Sequence, residues 1–121
     1  MNYEVVLTGP FKTQIRRLKK KYPRVAEDIR PLLAQLEAGT LVGDAIPGLE
    51  GQVYKVRAAS SDMRRGKSGG FRVIYYHAAE EKTIYLLIIY VKVEQENIQV
   101  AEIRALLSAL EKTSEDRKSV V

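Results

Sequence analysis

The stretch TIYLLIIYVKV, Thr83 to Val93, tolerates few environments. Its IYLLIIYV core is apolar at odd and even positions alike, so a strand made from it must bury both of its faces. That predicts the central strand of a sheet, with helices or further strands covering it on either side. The preceding segments supply its neighbours. Gln52 to Ala59 alternates, with Tyr54, Val56 and Ala58 facing one way and Val53, Lys55 and Arg57 the other. Phe71 to Ala78 reads as the next strand, and Glu80-Glu81-Lys82 as the turn into Thr83. Three consecutive strands with short connections predict an antiparallel meander.

The N-terminal third reads differently. Tyr3 to Thr8 is a short strand closed by Gly9-Pro10, after which Phe11, Ile15, Leu18 and Tyr22 recur at helical spacing. Lys12, Arg16, Arg17, Lys19, Lys20 and Lys21 make the opposite face of that helix strongly basic. A second stripe of Val25, Ile29, Leu32, Leu33 and Leu36 ends at Gly39, with Pro31 either in a first turn or at a kink. Thr40 to Gly51 reads as a connecting loop. Asn97 is a candidate N-cap for a last helix striped by Ile98, Ala101, Ile103, Leu106, Leu107 and Leu110. The expected order is β-α-α-β-β-β-α, an α+β fold in a single small domain over residues 1–112, with 113–121 a flexible C-terminal tail.

Composition narrows the classes of activity. The absence of cysteine removes disulfides, thiolate metal sites and a cysteine nucleophile together. No run approaches the roughly 20 apolar residues of a membrane span, and MNYEVVLTGP lacks the order of a signal peptide, so a soluble cytoplasmic protein is expected. A formal net charge of +5 favours polyanion partners.

Period two places Lys55 and Arg57 on one strand face, sets Arg72 against the apolar Phe71 and Val73, and joins Tyr90 to Lys92. If the strands pair so that these faces align, they form a cationic patch that binds phosphates, with Tyr90 available for base stacking. The alternative is a solvated outer face of a sheet. The loop RRGKSGG adds Arg64, Arg65 and Lys67, whose side chains and glycine-flanked backbone N–H groups suit phosphate. It is neither a P-loop nor a dinucleotide fingerprint, because no helix follows it. His77 is the single histidine, and a lone histidine near a strand end is more often structural than a general base. No metal-ligand spacing occurs, and neither a metal nor a small-molecule cofactor is expected. Catalysis would then run on Lys, Arg and Tyr. RNA tolerates this because its 2′-OH is its own nucleophile, leaving alignment, charge stabilisation and proton transfer to the protein. On that reading Arg72 stabilises charge, Lys55 or Lys92 moves protons, and Arg57, Lys67 and Tyr90 position the substrate.

The string VYKVRAASSDMRRGKSGGFRVIYY, followed by IYLLIIYVK and a terminal helix, resembles the RelE/ParE superfamily of bacterial toxin-antitoxin toxins, most closely its HigB-like and RelE-like branches. The likeness runs from about Tyr3 to Leu110 and includes LVGDAIPGLEGQVYKVR. It implies a RelE-like fold, a cognate antitoxin partner, and cleavage of mRNA on the ribosome. Matched residue by residue, the second-strand cations are Lys55 and Arg57, the loop lysine is Lys67, the third-strand arginine is Arg72, and the final-strand pair is Tyr90 and Lys92. The chain departs from the pattern after that strand: relatives commonly read Gly-Lys, whereas Val91 precedes Lys92 here and Val93 follows it. Glu94, Gln95 and Glu96 stand where many relatives add a further cation or a tyrosine. Two alternatives share the fold: a ParE-like toxin that binds DNA gyrase without cleaving RNA, and a non-catalytic nucleic-acid or protein-binding module.

Overall fold

A computed structural model describes residues 2–63, 69–92, 94–95 and 97–120, with side chains as far as Leu110. The elements are β1 (Glu4–Leu7), α1 (Gly9–Lys19), α2 (Val25–Asp28), α3 (Arg30–Glu37), β2 (Asp44–Ala45), β3 (Val53–Ala58), β4 (Phe71–Ala78), β5 (Thr83–Val91) and α4 (Val100–Val120), with a 3-10 turn at Ala79–Glu81. The expected meander of β3, β4 and β5 is antiparallel, and β1 adds to the far side of β5 in parallel, giving the sheet order β1-β5-β4-β3-β2. β5 is therefore an interior strand, as its two apolar faces require. The middle position belongs to β4, because the two-residue β2 extends the other edge.

Each face of β5 enters a different core. Ile84, Leu86, Ile89 and Val91 pack with Phe11, Leu18, Val25 and Leu36 from α1, α2 and α3. Tyr85, Leu87 and Tyr90 join the second cluster, which contains Ile103 of α4 with Leu106, Leu107 and Leu110 at its margin. A bulge between Ile74 and Tyr75 shifts the β4–β5 register, so that Ile74 faces Ile88 while Tyr75 faces Leu86. Without that extra residue Ile89 would stand opposite Arg72; with it, Tyr90 does.

Local chemistry sets the helix boundaries. Thr8 precedes α1, but its hydroxyl donates across to the Leu86 carbonyl at 2.8 Å, fastening the helix start to β5. The second helical stripe divides at Ile29, and Pro31 sits in the first turn of α3, where its missing N–H costs nothing. Arg104 of α4 donates to the Gly48 carbonyl at 2.9 Å, tying the last helix to the loop before β3. Among the described residues no helix is long and apolar enough to cross a membrane.

Candidate functional site

The strand register resolves whether the cations share a face. Arg57 stands opposite Arg72, which stands opposite Tyr90, making one row across three strands. Lys55 lies one pleat further along β3, opposite Ile74 and on the same side. Directly cross-strand positions lie on one face, so two guanidinium-bearing side chains are brought together there. Arg72 is half-buried, and its Nη1 donates to the Gly69 carbonyl at 3.1 Å. A guanidinium has five N–H donors, so anchoring one nitrogen orients the fork and leaves other donors for a ligand.

Lys55 is half-buried, and its Nζ donates to Asn97 Oδ1 at 3.2 Å. Asn97 looked like a helix cap in the sequence, yet α4 begins at Val100 and the amide instead meets the lysine. Strand alternation does not extend to Lys92, because β5 ends at Val91 and the backbone N–H groups of Glu94 and Gln95 fold back onto the Val91 carbonyl. It occupies the exposed turn just beyond the row. Arg64, Arg65 and Lys67 lie outside the described residues.

Tyr90 shares the predicted face but not the predicted exposure. Its ring is 2% exposed, so no surface remains for base stacking, and its hydroxyl is buried without a hydrogen-bond partner among the described residues. Sequence alternation assigns a face; it does not distinguish the wet part of that face from the part under the second core. Burial pushes the Tyr90 phenol up, and the nearby Arg72 charge partly opposes this. Tyr75, whose hydroxyl donates to the Val42 carbonyl, is raised further by burial and by Tyr54 stacked against it at 5.2 Å. Both phenols therefore hold their protons in the fold at pH values where the unfolded chain loses them. The unfolded state binds fewer protons above the ordinary tyrosine value of 10.0, so stability falls as pH rises beyond it, by about 1.4 kcal/mol per unit for each phenol. Urea unfolding across alkaline pH should show this slope. Tyr90→Phe should reduce it and, by removing an unsatisfied hydroxyl, raise neutral-pH stability by about 1 kcal/mol.

The basic loop is secured at both ends. On the incoming side, Asp28 accepts from the backbone N–H of Ser61 at 2.8 Å, and Asp62 accepts from the backbone N–H of Arg24 at 2.9 Å. On the outgoing side Gly70 has φ +84°, and a Cβ there would lie 2.6 Å from the Ala58 carbonyl oxygen. Close approach of backbones explains this glycine without any ligand. Elsewhere the cations of α1 project from the helix that packs on the opposite side of the sheet, so they do not extend the Arg57–Arg72 row. His77 stacks on Tyr3 with ring centroids 5.3 Å apart, a structural placement remote from the row.

Two comparisons relate the chain to known proteins. A family profile described as "RelE toxin of RelE / RelB toxin-antitoxin system" matches residues 12–119. A solved structure of the E. coli toxin RelE, a double arginine-to-alanine mutant in the free state, is similar over 79% of this chain and 90% of that one, with a TM-score of 0.54 and 17% sequence identity. At that identity the structural likeness concerns the fold, and the profile, which extends from α1 into α4, supplies the kinship: the chain belongs to the RelE family of toxin-antitoxin toxins.

Proposed function

We propose that this toxin inhibits translation by cleaving mRNA on the ribosome, opposed by a cognate antitoxin protein. The observation supporting the reading is the Arg57–Arg72 row with Lys55 one pleat away, three cations on one side of the sheet. RNA brings the attacking 2′-OH, and what the protein must add is positioning and stabilisation of charge on the phosphate. Arg72, oriented by Gly69, offers a planar fork to the phosphate oxygens. Arg57 holds a neighbouring phosphate. Lys55, hydrogen-bonded to Asn97, and Lys92, on the turn beyond the row, take the proton-transfer roles in this reading. Arg64, Arg65 and Lys67 steer the RNA toward the sheet. With Tyr90 buried, any stacking partner for a base comes from elsewhere.

The test is induction of the chain in a bacterial host, with mRNA 5′ ends mapped while protein and DNA synthesis are followed. Rapid loss of translation with cuts phased to codons is the expected result. Arrest of DNA synthesis with intact transcripts would overturn it in favour of a gyrase-directed toxin.

A further inference from the structure

A cavity of about 250 Å³ opens beside Lys55, lined by Asp44, Pro47, Lys55, Ile74, Asn97 and Ile98 among others. Its volume lies below the roughly 300 Å³ at which pockets for drug-sized ligands begin, so it suits one small ring system rather than a whole nucleotide. Pro47, Ile74 and Ile98 make its walls apolar, and the polar groups are an acid, an amide and an ammonium. We infer that this cavity is a subsite for a single guanine base. The inference rests on the RNA-directed reading above and adds the base that the RNA would present there.

The acid is the informative member. Asp44 stands directly opposite Lys55 in the β2–β3 register, so a carboxylate lies within a cationic face. It would repel phosphate, and its cross-strand lysine is engaged elsewhere: Lys55 Nζ donates to Asn97 Oδ1. Among the described residues the ion pairs are Arg17 with Glu94 and Arg24 with Asp62, and Asp44 is in neither. A carboxylate is an acceptor of N–H donors, and the Watson–Crick edge of guanine offers two side by side, N1–H and the N2 amino group. The remaining guanine group, O6, needs a donor. Because Asn97 Oδ1 already accepts from Lys55, the amide is oriented and its Nδ2 is left to donate, with the lysine ammonium as a second donor. Adenine offers a carboxylate one donor group and places a ring acceptor beside it. Cytosine likewise offers one, and uracil has acceptors on both sides of its single N–H. Phosphate contacts position an RNA without reading it, whereas base-edge contacts specify it. Arg57 and Arg72 fit the first role, and Asp44 with Asn97 the second.

The full-length protein can be titrated with 2′-O-methylated trinucleotides that differ only in carrying G, A, C or U at the middle position, with binding followed by NMR. The missing 2′-OH makes binding independent of cleavage, so failure of the nuclease reading leaves this measurement intact. Wild type should bind the G trinucleotide at least about tenfold tighter than the other three. Asp44→Asn should erase that preference while leaving the affinity for the A trinucleotide within about twofold, and should leave the melting temperature unmoved because Asp44 is exposed. Equal affinity for all four sequences, a preference that survives Asp44→Asn, or no binding at millimolar concentration would each overturn the subsite. So would an Asp44→Asn variant that loses antitoxin binding and leaves nucleotide binding untouched, since the cavity would then serve a protein side chain.

Discussion

Arg72→Ala should abolish codon-phased mRNA cleavage while leaving the fold in place. The loss expected from removing one preorganised donor at a developing charge is about 100-fold to 1000-fold in rate, near 3 kcal/mol of barrier. The sheet should tolerate the change because the hydrogen bonds that the Arg72 side chain makes among the described residues, to the Gly69 and Phe71 carbonyls, are local to the start of β4. Urea unfolding should therefore move by less than about 1 kcal/mol in either direction. Arg72→Lys separates charge from geometry: a lysine restores the point charge but not the bidentate fork, and should recover only part of the activity. Undiminished cleavage in Arg72→Ala would remove the central residue of the proposed site. A variant that unfolds would show that the arginine's bonds to the loop matter more to stability than to chemistry.

The second large effect concerns stability. Gly43 precedes β2 with φ +93°, and a Cβ there would lie 2.4 Å from the Lys55 carbonyl oxygen and 2.8 Å from Val56 Cβ. Neither neighbour is the free end of a flexible side chain, so relief requires β2 to move off β3. Gly43→Ala should cost about 3 kcal/mol, combining the left-handed backbone penalty with the clash, and lower the melting temperature by roughly 10 °C. Gly48→Ala is the matched control, since it has φ +83° but nothing within 4 Å of the new Cβ. Its cost should stay near 1 kcal/mol. Equal melting temperatures for the two variants would show that the contact with β3 is soft. A coupled outcome is expected as well: displacing β2 carries Asp44 away from Lys55, so Gly43→Ala should also lose whatever base preference Asp44 confers.

Much of this arrangement was legible in the sequence because hydrophobic patterning encodes it directly. The double-sided run in β5 demanded an interior strand, and alternation in β3 correctly grouped Lys55 with Arg57. The pairing of Arg57 with Arg72 stayed conditional, because reading β3 and β4 as consecutive strands does not fix their register. What could not be read were features fixed by partners rather than by period. β2 is two residues long and has no alternation to detect. The parallel docking of β1 on β5 leaves no local signal, because period two specifies a face and not a neighbour. The bulge that brings Tyr90 opposite Arg72 is a property of two strands together, and the burial of Tyr90 depends on a distant cluster built around Ile103. Asn97 shows the same limit from the other side. Its capping propensity was visible, but the side chain serves a lysine 42 residues away. Asp44 had even less to mark it, standing as an ordinary loop acid until register set it against Lys55.

The parallel pairing of β1 with β5 also governs when the molecule can exist. Glu4 must wait for Thr83, and Leu7 for Leu86, before the first strand has a place to dock. β5 likewise completes the row that begins at Arg57 and Arg72. During synthesis the sheet cannot close until β5 has emerged, since its earliest strand and its latest are neighbours. The row of Arg57, Arg72 and Tyr90 is in this way kept from assembling until β5 has left the ribosome.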